Sequence, residues 1–197
     1  MPLADRNTPR GDDVRPTSGT GHGPRHAFVD ESKRGPYLMC AFVTDPGHRG
    51  QVVAVLNRIR MPGAPRIHMK NESDSTRRAV LSALCDLQVQ STMFISRIKP
   101  MITARATIIE EGIWPQVRRE GITRLVLEPE AGQDERDRRQ LYQLARRDGL
   151  TDFSYAHLPP ITEPMLWVPD AIAWAYGAGG NWRQRAAPVI DQVITIE

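Results

Sequence analysis

Three carboxylates stand where charged side chains are uncommon, beside apolar segments that lie far apart in the chain. Asp30 follows apolar residues 27–29, Glu128 ends a strand-like run over 122–127, and Asp170 lies in an apolar helical stretch. An unpaired charge is costly to bury, so such acids are usually paired or bound to a cation. Carboxylate oxygens without thiolates or a histidine cluster favour Mg²⁺ or Mn²⁺. Two such ions about 4 Å apart can hold a scissile phosphate and activate water, so the pattern predicts a shared cation site for phosphoryl-transfer chemistry.

Three further acids lie close to these in the sequence. Because side chains alternate along a strand, Glu31 faces away from Asp30 and is expected to form a structural ion pair. Glu130 comes two residues after Glu128 and shares its face, so either could be the ligand from the middle strand. Glu72 follows a short apolar segment and could be a fourth ligand, although acids are common at helix starts.

Histidine, lysine and tryptophan side chains add weaker candidates. His68 and Lys70 alternate on one face of a short segment and could approach a phosphate or position water; the alternative is simple solvation. His157 ends a predicted strand and has the same two interpretations. Trp167 and Trp174 have roughly helical spacing, which predicts core positions, although an exposed tryptophan could stack on a base.

Hydrophobic periodicity predicts the elements that would position these side chains. Strands are predicted at 26–31, 37–43, 66–70, 92–99, 122–128 and 152–158, and residues 193–196 could form a late one. Helices are predicted at 48–60, 75–88, 102–119, 134–148 and from 165 or 169 to 178. A hairpin followed by helices that alternate with strands predicts an α/β sandwich with a mixed sheet.

Capping and helix-breaking residues define several of these boundaries. Ser73 or Asp74 can cap the second helix, and Asp134 can cap the fourth. The third helix is expected to be interrupted near Gly112. Pro169 fits the first position of the last helix, because proline lacks an N–H that this position would leave unbonded.

Length and composition are those of one globular domain. At 197 residues, with 40% hydrophobic and 25% charged content, the chain suits one α/β domain. Residues 1–25 are rich in proline and glycine and predict a disordered leader before a domain over 26–197. The net charge of +3 does not by itself indicate a nucleic-acid partner. No apolar stretch approaches about 18 residues, which argues against a membrane partner, and the isolated Cys40 and Cys85 favour buried thiols in a cytoplasmic protein.

The acidic motifs resemble those of an RNase H-like family of bacterial and phage proteins catalogued as domain of unknown function 3800. That family opens with an apolar strand that runs into Asp-Glu-Ser, which matches Phe-Val-Asp-Glu-Ser at 28–32. It closes with a Leu-Leu-x-x-x-Asp-x-x-Ala helix, which matches residues 163–173, and between them an acid follows a middle strand, as Glu128 does here. The similarity spans about residues 26–178.

What this resemblance implies is an RNase H-like mixed sheet flanked by helices and a nuclease that uses two Mg²⁺ or Mn²⁺ ions on nucleic acid. By position, Asp30 would bridge both ions and Asp170 would be the ligand from the last helix. Glu128 would be the middle-strand ligand and Glu72 the acid nearest the first. The family more often has Asp at the middle position, where this chain has Glu followed by Pro129.

Two other functions stay open at this point. The sequence distinguishes neither RNA from DNA nor one oligomeric state from another. A carboxylate displaced by one methylene shifts any ion that it holds, so the glutamate at the middle position favours, as one alternative, a catalytically inactive nucleic-acid-binding or adaptor protein with the same fold. The other alternative is a phosphate-handling enzyme that acts on small nucleotides.

Overall fold

A six-stranded mixed sheet forms the centre of the protein. The computed structural model describes residues 23–197, so the predicted leader lies almost entirely outside the described residues. In sheet order the strands are β5 (Ser154–His157), β4 (Ile122–Leu127), β1 (Arg25–Ser32), β2 (Tyr37–Thr44), β3 (Gln90–Ser96) and β6 (Ile190–Ile196). Strands β1, β2 and β3 are antiparallel, β4 and β5 run parallel to β1, and β6 runs parallel to β3. The predicted mixed sheet is confirmed.

Helices cover both faces of this sheet. They are α1 (Arg49–Ile59), α2 (Asp74–Asp86), α3 (Met101–Thr107), α4 (Trp114–Glu120), α5 (Asp134–Arg147), α6 (Trp167–Ala178) and α7 (Gly180–Ala186). On one face, α1, α2, α6 and α7 enclose a core that contains Phe28 and Phe42. On the other, α3, α4 and α5 enclose a core that contains Ala27 and Val29. Consecutive side chains of β1 therefore enter different environments, because side chains alternate across a strand.

The predicted helix over 102–119 forms three consecutive parts. Helix α3 continues into a π-helical segment, Ile108–Ile113, which leads directly into α4. A Cβ atom at Gly112 would lie 2.6 Å from Cδ1 of Phe94, so only glycine lets this segment come so close to β3. The interruption expected near Gly112 is thus a widened helical turn and not a break.

The predicted strand at 66–70 is wrong, because this segment is an irregular loop with turns. Ile67 and Met69 are buried, whereas His68 between them is partly exposed. The alternation that favoured a strand therefore reflects a loop pressed onto the core, with its apolar side chains pointing inward. At the end of this loop Ser73 is confirmed as the cap of α2, since its hydroxyl accepts a hydrogen bond from the Thr76 amide at 3.2 Å.

Two predictions about helix starts are also wrong. Asp134 is the first residue of α5 and not its cap, which is Gln133. The Asp134 carboxylate instead accepts a hydrogen bond from the Glu130 amide at 2.9 Å. Pro169 is the third residue of α6, since the helix begins at Trp167. Proline is tolerated there because the first four N–H groups of a helix have no partner within it.

The remaining sequence expectations concern membranes and cysteines. Among residues 23–197, none of the helices has the length and apolar character needed to cross a bilayer. Both cysteines are free thiols, with Cys40 buried and Cys85 partly buried. The late strand suggested at 193–196 is the C-terminal part of β6, which begins earlier at Ile190.

Candidate active site

The parallel pairing of β1 with β4 brings two of the predicted acids to one edge of the sheet. Asp30 lies near the end of β1, and Glu128 directly follows the end of β4. The Glu128 amide still donates to the Val29 carbonyl at 3.0 Å, so the chain stays beside β1 until Pro129. Proline has no N–H for a further ladder bond, which ends the strand at this point.

Helix α6 supplies the third acid, Asp170, from its first turn. The three carboxylates line one pocket of about 470 Å³, which we call the carboxylate pocket. Nine other residues complete its wall: Glu31, Ser32, Lys33, Arg34, His68, Lys70, Pro129, Glu130 and Trp174. The structure thus brings together acids that are about 140 residues apart in the chain, at the kind of strand edge where α/β proteins bind ligands.

Asp30 is the most enclosed of the three acids, with only 8% of its surface exposed. Burial is the largest cause that raises its pKa well above the ordinary value of 3.8. The negative charges of Asp170 and then Glu128 raise this pKa further, while a hydrogen bond from the Glu31 amide at 2.7 Å opposes the rise. Asp30 is therefore a buried acid that lies beside two like charges.

The other two acids are held by the 66–72 loop, which lies between α1 and α2. Nη1 of Arg66 lies 3.2 Å from Oε1 of Glu128. The Met69 amide donates to Oδ2 of Asp170 at 3.0 Å, and Nδ1 of His68 lies 3.6 Å from the same oxygen. The sequence pattern indicates His68 but not Arg66, because a single arginine in an arginine-rich chain does not stand out from the others.

The structure does not bring Glu72 into the carboxylate pocket. Oε1 of Glu72 accepts a hydrogen bond from the His68 amide at 3.2 Å, so this acid braces the 66–72 loop from within. The two residues are four positions apart, so this hydrogen bond connects the beginning and the end of the loop locally. Glu72 thus contacts the site through the loop and not through its own carboxylate.

The other acids of the two predicted motifs have different partners. Nζ of Lys33 lies 2.6 Å from Oε1 of Glu130 and 3.1 Å from Oε1 of Glu31. Of the two acids that follow β4, Glu128 is the one whose charge acts on Asp30, and Glu130 is paired with Lys33 at the pocket wall.

Glu31 also enters a second acidic group on the opposite face of the sheet. This buried ion cluster consists of Glu31, Tyr37, Arg105, Asp137 and His157. The Arg105 guanidinium contacts Glu31 and donates to Oδ2 of Asp137 at 2.8 Å. Nε2 of His157 lies 3.0 Å from the same Asp137 oxygen, and the His157 side chain is only 1% exposed. The structural pair expected for Glu31 is present, whereas His157 is buried away from the carboxylate pocket.

In the buried ion cluster, burial raises the pKa values of the acids and the positive charge of Arg105 lowers them. Burial alone would raise the pKa of Asp137, but hydrogen bonds from His157 and Arg105 hold it below 3.8. Burial raises the pKa of Glu31 despite the charge of Arg105 beside it. Because Arg105 cannot lose its proton in a protein, it is the permanent counter-charge of this group.

The two candidate tryptophans lie in different environments. Trp167 is buried, and its Nε1 donates to the Pro160 carbonyl at 2.8 Å, as expected of a core residue. Trp174 lies at the pocket wall, and the guanidinium of Arg77 stacks on its ring at 4.3 Å from the ring centroid. The Arg34 guanidinium lies 5.6 Å from the same centroid, so a cationic and aromatic rim borders the acids.

The donor chemistry of the carboxylate pocket fits a hard divalent cation. Its three acids offer only oxygen atoms, which Mg²⁺ and Mn²⁺ prefer. Burial and then the charges of Asp170 and Glu128 raise the pKa of Asp30, as expected of an acid enclosed beside other acids. Within residues 23–197, however, no group of three or more His, Cys, Asp or Glu side chains is already arranged to hold a metal ion. The 66–72 loop engages two of the three acids in other contacts.

The fold of this protein is similar to that of a solved structure. A chain of the PCNA:RNase HII complex from Archaeoglobus fulgidus matches with a TM-score of 0.50 at 14% sequence identity, over 78% of this chain and 72% of that chain. The fold is RNase H-like. No protein-family model and no curated protein sequence matches the chain significantly. The RNase H-like architecture is thereby confirmed, while membership of the family of domain of unknown function 3800 stays a prediction from its motifs.

Proposed function

We propose that this protein is a metal-dependent nuclease that hydrolyses phosphodiester bonds of nucleic acid in the carboxylate pocket. The observation that carries the proposal is the convergence of Asp30, Glu128 and Asp170 from three separate elements at the carboxyl edge of an RNase H-like sheet. Acids assembled in this way and left without full neutralisation are typical of cation sites and not of structural pairs.

Asp30, Glu128 and Asp170 would hold Mg²⁺ or Mn²⁺. Bound there, the ions would supply an activated water and neutralise charge on the leaving oxygen. Asp30 is anchored by the Glu31 amide, and Asp170 by the Met69 amide, so both carboxylates are oriented before any ligand arrives. Such preorganisation lowers the cost of positioning the reacting groups.

The carboxylate pocket contains acids, but its wall also carries basic side chains that suit the phosphate backbone of a nucleic acid. Lys33, Arg34 and Lys70 line the same opening and supply positive charge around the three acids. Basic side chains of this kind bind phosphate oxygens and fix the register of a strand, whereas the acids exclude phosphates unless cations are present. The expected partner is therefore a nucleic-acid strand whose backbone crosses the rim.

The test incubates purified full-length protein with labelled RNA, DNA and RNA–DNA hybrid in Mg²⁺, Mn²⁺ or EDTA. Asp30→Asn is the inactive variant, and Asp152→Asn, which removes an exposed acid outside the pocket, is the matched control. We expect cleavage that needs metal, is lost in the first variant and is kept in the second. Cleavage that survives excess EDTA would contradict the mechanism.

One observation favours a second function, a nucleic-acid-binding or adaptor protein without turnover. Glu128 is already paired with Arg66, and the described residues contain no preassembled group of metal ligands. Under this alternative every cleavage lane stays blank, whereas labelled strands still bind in EDTA with an affinity that falls as salt rises. Mononucleotide phosphates added to the same assay separate a polymer nuclease from an enzyme that acts on small nucleotides.

A further inference from the structure

The 66–72 loop places a permanent positive charge against one of the proposed metal ligands. Nη1 of Arg66 lies 3.2 Å from Oε1 of Glu128, and both side chains are about one quarter to one third exposed. A guanidinium keeps its charge at all accessible pH values. Asp30, in contrast, accepts only the Glu31 amide among the hydrogen bonds of the described residues. The three acids are therefore unequally neutralised.

The position of Arg66 is built into the fold through its loop. Nε of Arg77 donates to the Met69 carbonyl at 2.9 Å, and its Nη2 donates to the Lys70 carbonyl at 3.0 Å. The same guanidinium stacks on Trp174 of α6. The loop is thus tied to α2 and α6, the elements that border the pocket, and it presents Arg66 from a supported backbone.

We infer that Arg66 is an internal counter-cation that competes with a divalent ion for Glu128 and thereby sets the metal concentration at which the carboxylate pocket loads. The inference rests on the proposed function, since it takes Glu128 as a metal ligand. Any cation that binds Oε1 of Glu128 competes with the guanidinium for that oxygen, and the positive charge of Arg66 beside it opposes the cation.

The size of the effect follows from the exposure of the pair. Exposed ion pairs contribute modestly to free energy, so removing Arg66 should tighten metal binding by about two- to fivefold. Lys70 offers a matched control, because it lines the same pocket but forms no ion pair among the described residues. Lys70→Gln therefore removes a positive charge from the pocket without removing a competitor from Glu128.

The experiment is a calorimetric titration of Mn²⁺ into the full chain at constant ionic strength, for wild type, Arg66→Gln, Arg66→Lys and Lys70→Gln. We expect a lower Kd for Arg66→Gln than for Lys70→Gln, and a Kd near that of wild type for Arg66→Lys, which keeps a cation. Thermal melting in EDTA verifies that each variant is folded. Equal tightening in both glutamine variants, or no tightening in Arg66→Gln, would overturn the inference.

The same titration separates this inference from the proposed function. If wild type binds Mn²⁺ and Asp30→Asn does not, the metal site stands, and only the ranking of Arg66→Gln against Lys70→Gln decides the role of Arg66. If neither wild type nor Arg66→Gln binds Mn²⁺, the metal site and the inference fail together.

Discussion

Asp30 and Glu31 are neighbours in one strand, yet they enter two acidic groups with opposite electrostatics. Glu31 joins the buried ion cluster, where Arg105 contacts both Glu31 and Asp137. Asp30 joins the carboxylate pocket, where the nearest charges that act on it are those of two other acids. Acidic residues at adjacent positions thus lie beside a positive charge on one face of the sheet and beside like charges on the other.

This difference separates structure from function. In the buried ion cluster, the pKa of Asp137 is lowered, so its ionised form favours the folded state. In the carboxylate pocket, burial and like charges raise the pKa of Asp30, so its ionised form opposes folding and is retained where a ligand needs it. The buried ion cluster lies directly across β1 from the carboxylate pocket, so it also supports the strand that carries Asp30. Substitutions in the buried ion cluster should therefore lower stability, whereas substitutions in the carboxylate pocket should mainly affect activity.

Removal of Arg105 should have the largest effect, because it takes away the counter-charge that contacts both acids of the buried ion cluster. Arg105 has a side chain that is only 3% exposed, and Arg105→Met would strand the charges of Glu31 and Asp137. We expect a loss of about 3–5 kcal/mol in the free energy of unfolding, measured by denaturant titration. Arg58→Met, at an exposed position that has no ion pair within residues 23–197, should change stability by less than about 0.5 kcal/mol.

Asp30→Asn and Asp170→Asn should each abolish cleavage while the fold persists. Loss of a carboxylate ligand removes several kcal/mol of transition-state stabilisation, which corresponds to about a thousandfold in rate. Initial rates on the preferred strand, with circular dichroism as the check on folding, measure this. Full activity in either variant would remove that acid from the site.

Asp137→Asn should weaken the buried ion cluster in a pH-dependent manner. The pKa of Asp137 is held below 3.8, so its ionised form favours the folded state above that pH. We expect a loss of about 1–3 kcal/mol at neutral pH. The difference from wild type should vanish as the pH falls below 3.8 through the lowered pKa of the folded state, as followed by denaturant titrations from neutral pH down to strongly acidic pH. A constant difference across this range would contradict the assignment.

The smallest effect, and the one of opposite sign, is expected for the stability of Asp30→Asn without metal. Because burial and like charges raise the pKa of Asp30 above 3.8, its ionisation opposes folding once the pH exceeds that value. The amide variant should therefore melt about 2–4 °C higher than wild type at neutral pH in EDTA, a gain of about 1 kcal/mol. The gain should disappear below pH 3.8. A lower melting temperature at neutral pH would show that Asp30 is neutralised in a way that the contacts do not indicate.

Local sequence patterns predicted most of the strands and helices of this protein, but they were wrong about one loop and about the position of a proline at a helix start. The apolar runs that predict β1 and β2, and the Ser73 cap of α2, depend on residues close in sequence, and the structure has them. The strand predicted at 66–70 failed because alternating burial arises equally in a loop that lies against a core. Pro169 was misplaced by two residues because the whole first turn of a helix tolerates proline.

For the candidate site, the sequence alone determined which acids border apolar segments, because an unusual residue in an apolar run is visible without a structure. Asp30, Glu128 and Asp170 were selected in this way, and all three line one pocket. Only the tertiary structure decided their partners, since ion pairs join residues that are distant in the chain. Arg66 reaches Glu128 across 62 positions, and Arg105 reaches Glu31 across 74. Charge balance is a property of three-dimensional neighbourhoods, so the sequence could supply the acids but not which of them would be neutralised.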